Sequence, residues 1–391
     1  MICKPLIEGK SFSLYENDDS VIPARLASGI EKEDACNYIV SGCWDALTPD
    51  ASNKFSGEYL NILKPFEWSI HREDELMAEN ELYCEPIDGA KNFEEVYALY
   101  KSFVKKLLLR KAEPMSRASR LWHTVNPTAA LSALMQTCIT KRLDLTNGGG
   151  KYNRECVYLC GFAEVIDSLL AIKKLCFEDG VCSLGELLDA CRSNWSDEIL
   201  RQRVISAPSY GDGSEESSLM AKRLFDDLYE MTRGLPTAYG GEFRMGFNQY
   251  TEIIWWGKKT KALPNGRCDG EYLSQGITPS RYQNHINAVD ILDSLRYMDL
   301  TKCAGNSSMA ITLPVGGLDT ERLSAFFRAA ARSGIQAMQP NCVDIDTLLK
   351  AQKDPENYSH IIVRVCGFSA PFVLLSPTYQ TEFISRMRTE I

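Results

Sequence analysis

The 391 residues are 45% hydrophobic and 24% charged and carry a net charge of −9, an ordinary globular composition with length enough for one large continuous core. The acidic balance excludes the basic footprint that nucleic acid or an anionic membrane surface requires. No apolar run approaches bilayer length, and residues 1–10 lack the basic and apolar blocks of a secretory signal, so the expectation is a cytoplasmic protein with a small-molecule or protein partner.

Fourteen cysteines are scattered along the chain rather than gathered into a short secreted frame. The closest pair, Cys156 and Cys160, is separated by three residues, and no CxxC pair occurs, so no metal site is expected and most thiols should be buried and inert. His71, His123, His285 and His360 stand alone, without a second ligand at metal-binding spacing.

From the N-terminus, residues 1–50 are rich in turn formers and read as strand or loop with a helical piece near Ile22–Ser28. Apolar residues from Phe93 to Leu108 recur at helical spacing and predict one amphipathic helix. A second helix is predicted through Phe162, Val165, Ile166, Leu169 and Ile172, with the bend Gly148-Gly149-Gly150 as a tight turn leading to it. That bend lacks the Lys-Ser/Thr ending of a phosphate-binding loop. The stretch Gly234–Ser280, dense in glycine and proline, predicts a long irregular connection over the surface or around a site; the aromatic pair Trp255-Trp256 within it suits a core better than a pocket. Leu323, Phe326, Phe327 and Ala330 mark a helix closed by Gly334.

The last fifty residues are the most legible. Helical spacing over Thr347–Gln352 gives way to the β-rich run His360–Val365, then to Cys366-Gly367-Phe368, then to Ser376-Pro377 opening a terminal helix.

The segment Arg364-Val365-Cys366-Gly367-Phe368-Ser369, with Phe372, Leu375-Ser376-Pro377 and Gln380 after it, resembles the glycyl radical signature of pyruvate formate-lyase-type enzymes. Three more blocks resemble that family in order. They are Asn17-Asp18-Asp19 with Glu33-Asp34-Ala35 and Gly42-Cys43; Thr146–Asn153 around the glycine bend; and Gly257-Lys258-Lys259-Thr260 with Pro264-Asn265-Gly266-Arg267. The resemblance implies an α/β fold, the C-terminal half of a ten-stranded barrel with surrounding helices, a cysteine loop and a glycine loop. Within residues 1–391 it implies a cysteine-loop region at 1–50, a half-barrel with helices at 51–350, and a glycyl radical domain at 351–391.

The same resemblance implies the chemistry. Loss of a Cα hydrogen from glycine leaves a radical delocalised over the flanking amide and carbonyl, and the missing Cβ lets the backbone flatten and approach closely. Gly367 would store that radical and pass it to Cys43, whose thiyl would take hydrogen from substrate. Cys366 is the rival thiol and reads as a small buried strand residue. Asp45 stands where related dehydratases and arylacetate decarboxylases carry Glu, and is either a base assisting loss of a leaving group or the cap of the following turn. Trp44 would shape the substrate pocket. Position 42 is Gly and position 44 is Trp, so the adjacent cysteine pair needed for acyl transfer is missing, and the zinc-binding cysteine pairs of anaerobic ribonucleotide reductases are missing as well.

The implied function is an anaerobic glycyl radical lyase acting on a small polar substrate by dehydratase-like C–O or C–X elimination. The alternatives are arylacetate-type decarboxylation and a non-catalytic radical-repair or scaffold subunit. No bound cofactor is implied; a radical-SAM activase, with its own S-adenosylmethionine and iron-sulfur cluster, would install the radical on Gly367. A half-barrel would expose strand edges and an apolar face, so a separate chain supplying the N-terminal half of the barrel is expected as a partner in a split enzyme.

Overall fold

The computed structural model describes all residues except 1, 11–14, 42–44, 49–51, 241–242, 250, 282–285, 317, 387–388 and 391, and leaves undescribed the side chains at 41, 45, 52–57, 74, 76, 286 and 389–390. Its strands are β1 (Tyr15–Glu16), β2 (Ile39–Ser41), β3 (Asp45–Leu47), β4 (Ser52–Asn61), β5 (Asn153–Cys160), β6 (Arg244–Gly246), β7 (Ile286–Asn287), β8 (Ser308–Leu313), β9 (Ala337–Cys342), β10 (Ile362–Arg364), β11 (Ser369–Pro371) and β12 (Thr389–Glu390).

Five of these form the frame. Strands β4, β5 and β6 pair in parallel, with Tyr59 opposite Tyr158 and Val157 opposite Met245. Strands β8 and β9 also pair in parallel, Ser308 opposite Ala337, and a parallel bridge from Phe247 to Ser307 joins the two groups. The order across the frame is therefore β4-β5-β6-β8-β9, with β1 added antiparallel along β9. Parallel neighbours need long crossovers, and helices such as Phe162–Ala171 and Thr320–Ser333 occupy them. Every residue of β8 and β9 is buried, as expected for a parallel sheet covered on both faces.

The helix Thr320–Ser333 follows from its sequence: Asp319 caps the amides of Glu321 and Arg322, Leu323, Phe326 and Ala330 face inward, and Gly334 closes it at φ 85°. The predicted helix at Phe93–Leu108 is longer than its apolar pattern, running Phe93–Val125 through Pro114. Burial at Ala112, Met115, Ser116 and Ser119 carries it past the proline, and the Ser116 hydroxyl reaches Glu155 Oε2 at 3.2 Å. Beyond that point its apolar residues are exposed: Leu121, Trp122 and Val125, followed by Leu131, Leu134 and Ile139.

Three expectations need correction. Residues 1–50 contain helices at Cys3–Ile7, Asp18–Ala27 and Lys32–Cys36 rather than one helical piece. The glycine bend at 148–150 leads into strand β5, and the predicted helix begins after that strand, at Phe162; the largely buried run after the bend pairs between β4 and β6, which a local reading cannot see. The Gly234–Ser280 stretch is no surface connection: it contains β6 and the helix Glu252–Lys258, and Thr260, Ala262, Leu263, Asn265, Arg267, Leu273, Ser274 and Gln275 are buried. Of the aromatic pair, Trp255 is 60% exposed and does not join the core, whereas Trp256 packs against it.

Most apolar side chains belong to one large core, but Val343, Leu348, Ala351, Ile361, Val363, Val365, Phe372 and Phe383 make a second, small one. The C-terminal hairpin thus carries its own packing. No helix among the described residues is long and apolar enough to cross a membrane, and no group of three metal-binding side chains occurs among them.

Candidate functional site

Gly367 lies in the turn of the antiparallel hairpin β10–β11. Arg364 pairs with Ser369, and the Val365 amide donates to the Phe368 carbonyl at 3.0 Å, so Cys366 and Gly367 alone make the turn. Gly367 has φ 67°, the left-handed region that favours glycine at the second central position of a tight turn. Cys366 beside it is 1% exposed, its thiol 3.9 Å from the Gln249 carbonyl, in keeping with a small buried residue.

The hairpin is received at the C-terminal ends of the parallel strands, where open α/β sheets place their ligand sites. Asn341, near the end of β9, clamps Arg364 in both directions: its Nδ2 donates to the Arg364 carbonyl at 2.9 Å and its Oδ1 accepts the Arg364 amide at 2.8 Å. Gln249, just past β6, is fully buried; its Nε2 donates to the carbonyl of Leu159 in β5, and its Oε1 accepts the Gly276 amide at 2.7 Å. Gln275 Nε2 in turn donates to the Gln249 carbonyl at 3.1 Å. These amides satisfy backbone groups that the ends of the strands leave open.

An ionic cluster fastens the terminal helix Pro377–Ser385 beneath the hairpin. Glu382 is fully buried between Arg281 and Arg386; Arg386 donates to it through Nε at 2.7 Å and Nη2 at 2.5 Å, and Arg281 through Nη2. Arg386 also reaches Gln275 Oε1 at 2.8 Å and the Val365 carbonyl at 3.4 Å, linking the helix to the turn. Burial opposes ionisation of Glu382, yet the two guanidiniums hold its carboxyl below the ordinary range. No sequence motif pointed to this cluster.

The second candidate region is the hairpin β2–β3, with Val40 opposite Ala46 and Ser41 opposite Asp45. Cys43 and Trp44, between these strands, lie outside the described residues, as does the side chain of Asp45. What fastens this hairpin is visible. Arg25 donates to the Ala46 carbonyl and the Thr48 hydroxyl, and its burial lowers its pKa to about 10.

Two of the sequence blocks meet here. Lys151 Nζ contacts Asp34 at 2.6 Å and Glu31 at 2.8 Å, and the Tyr152 hydroxyl donates to Asp34 at 2.7 Å. Hydrogen bonds from Lys151 and Tyr152 hold the Asp34 carboxyl below its usual range. The glycine bend therefore braces the approach to position 43.

The third block is structural too. Arg267 is fully buried, has no carboxylate partner among the described residues, and donates to the carbonyls of Thr260 at 2.9 Å, Lys261 at 2.5 Å, Gly257 at 3.2 Å and Glu271. Its fork closes the loop that leads toward Gln275.

The family described as Pyruvate formate lyase-like matches residues 1–257, and the Glycine radical description matches residues 273–373. The chain belongs to the pyruvate formate lyase-like family. It is 30% identical to isethionate sulfite-lyase of Oleidesulfovibrio alaskensis over 97% of its own length and 47% of that protein's, and 27% identical to trans-4-hydroxy-L-proline dehydratase of Clostridioides difficile over 98% and 50%. The hydroxyproline dehydratase structure from Clostridioides difficile superposes with a TM-score of 0.90 at 25% identity, covering 100% of this chain and 50% of that one. The B12-independent glycerol dehydratase of Clostridium butyricum gives 0.89 at 25% identity over 99% and 50%. The chain thus spans about half the length of the curated relatives it matches, and its fold is half of a glycyl radical enzyme barrel.

Proposed function

We propose that this chain carries the radical-storing half of an anaerobic, cytoplasmic glycyl radical lyase, with Gly367 as the store and Cys43 as the working thiol. The observation that carries the reading is the placement of Gly367: the second residue of a two-residue turn at φ 67°, seated on buried amides at the strand ends, within the segment matching the glycine radical family.

In the proposed cycle a radical-SAM activase, bearing the S-adenosylmethionine and iron-sulfur cluster, removes one Cα hydrogen from Gly367. The Gly367 radical takes hydrogen from the Cys43 thiol, and the thiyl takes hydrogen from a substrate carbon. The neighbouring C–O or C–X bond then breaks, the leaving group departs, and the thiol returns a hydrogen atom to the product radical. Asp45, in this reading, accepts the proton of a substrate hydroxyl, and Trp44 shapes the pocket.

Elimination is favoured over decarboxylation because the isethionate sulfite-lyase and hydroxyproline dehydratase relatives align over 97% and 98% of the chain, whereas the 4-hydroxyphenylacetate decarboxylase subunit of Clostridioides difficile aligns over 79% at 25% identity. Another polypeptide is proposed to supply the remaining barrel strands. The support is the outer side of β4, which has no strand partner among the described residues, and the exposed apolar strip at Leu121, Trp122, Val125, Leu131, Leu134 and Ile139.

The test is anaerobic activation of the assembled protein with a radical-SAM activase, S-adenosylmethionine and reductant, read by electron paramagnetic resonance. A doublet from a single α-hydrogen is expected and should vanish in Gly367→Ala. A doublet that persists in Gly367→Ala refutes the assignment. Cys43→Ala should keep the doublet and lose turnover; full turnover in that variant would favour a repair subunit instead.

A further inference from the structure

Away from the glycine hairpin, two sulfurs stand in contact. The helix Phe162–Ala171 continues as a π-helix over Ile172–Glu178, a wide winding that is rare outside functional or strained segments. The chain then reverses through Gly180 at φ 60°, and the Val181 amide bonds back to the Leu175 carbonyl at 2.8 Å. The reversal sets the Cys182 sulfur 3.9 Å from that of Cys176. Ser183 then caps the helix Leu184–Arg192 through a reciprocal bond with Glu186. Cys182 therefore immediately precedes a helix N-cap, where the helix dipole favours a thiolate.

Both thiols are partly exposed, unlike Cys84, Cys138, Cys156, Cys160, Cys191, Cys303, Cys342 and Cys366, which are buried. A surface cavity opens beside Leu175 and Val181, the chain neighbours of the two cysteines, and its charged lining is balanced, Lys174 and Arg203 against Asp179 and Glu198. The hydrogen bond from the Cys176 thiol favours the Cys182 thiolate against the opposing effects of burial and Glu186, while the same hydrogen bond and burial push Cys176 up. One sulfur is thus set up to attack and the other to resolve.

We propose that Cys176 and Cys182 form a reversible dithiol–disulfide couple that is oxidised by a small organic disulfide. The Cys182 thiolate attacks one sulfur of that disulfide, whose S–S bond breaks, releasing one thiolate and leaving a mixed disulfide on Cys182. Deprotonated Cys176 then attacks the Cys182 sulfur and expels the second thiolate. Two protein thiols are oxidised and one organic disulfide is reduced to two thiols, with protons passing to the released thiolates. Closure requires the sulfurs to approach by roughly 2 Å to reach bonding distance, within the range of side-chain rotation across a turn centred on a glycine. The bond would tie the end of the π-helix to the start of the next helix. It acts independently of the radical chemistry proposed above.

The test uses the native protein, held anaerobically in glutathione and glutathione disulfide at graded ratios, quenched in acid, alkylated and digested with trypsin. All three cysteines of interest fall in the fragment Leu175–Arg192. With rising disulfide, that fragment should lose two of its three alkyl groups together. Fragmentation should assign the bond to Cys176 and Cys182 with Cys191 still alkylated, and reductant should reverse the change. Cys176→Ser should instead stop at a glutathione adduct on Cys182. Continued alkylation of both thiols at the most oxidising ratio, a bond to Cys191, or no adduct on Cys182 in Cys176→Ser would each overturn the proposal.

Discussion

Glu382→Gln removes the carboxylate that Arg281 and Arg386 share, while keeping the side chain's size. In the folded protein Glu382 is 0% exposed, and the side chains of both arginines are 10% exposed, so the substitution leaves two largely buried guanidiniums facing a neutral amide. Breaking a buried pair from one side costs about 3–5 kcal/mol, because the partner charge stays desolvated. The cost should fall on the C-terminal unit, whose own small core holds Val363, Val365, Phe372 and Phe383 and which Arg386 ties to Gln275. At about 1.4 kcal/mol per factor of ten, local opening becomes roughly 10²- to 4 × 10³-fold more frequent. Hydrogen exchange read by mass spectrometry should show amides of β10 and β11 exchanging faster by that factor, with β5 and β8 unchanged. Unchanged exchange in the hairpin, or equal acceleration throughout the frame, would refute the idea that this cluster fastens the glycine loop. The same dependence should appear with pH. The folded-state pKa of Glu382 is depressed, so its contribution is present above the unfolded-state pKa and is lost as pH falls through the folded value.

Asp167 behaves in the opposite sense. Burial raises its carboxyl to about 7 despite hydrogen bonds from Ser280 and the Tyr210 amide. The folded chain therefore holds this proton more tightly than the unfolded chain, and stability falls as pH rises from about 4 to about 7, by as much as roughly 4 kcal/mol at 1.36 kcal/mol per pKa unit. Asp167→Asn should flatten that slope in urea midpoints taken at pH 5 and pH 8; an unchanged slope would show that the residue does not titrate in this range. Arg267→Met should lower stability by about 3–5 kcal/mol in the same assay, since carbonyls of Gly257, Thr260, Lys261 and Glu271 lose a buried donor. A loss below about 1 kcal/mol would mean that water or a rearranged loop satisfies them.

Local features were legible where local physics decides them. Asp319 and Gly334 bound a helix that the apolar spacing of Leu323, Phe326 and Ala330 already marked, and the run ending at Val365 with Cys366-Gly367 following is a strand and its turn. The family signature along the chain pointed to the same barrel half that the structural neighbours share. Partners distant in sequence were not legible. Glu382 meets Arg281 across 101 positions, the Cys366 thiol meets the Gln249 carbonyl across 117, and Asp34 meets Lys151 across 117. The strand after the glycine bend and the burial of Gly234–Ser280 were missed for the same reason: whether a short run becomes strand or loop depends on the neighbours that satisfy its backbone, and here those are β4, β6 and the fork of Arg267. The sequence by itself determined the family, the turn glycine and the helix ends, because each depends on residues a few positions apart. Only the tertiary structure decided what seats Gly367, because a buried amide or ion pair is defined by contacts between elements that the chain brings together when it folds.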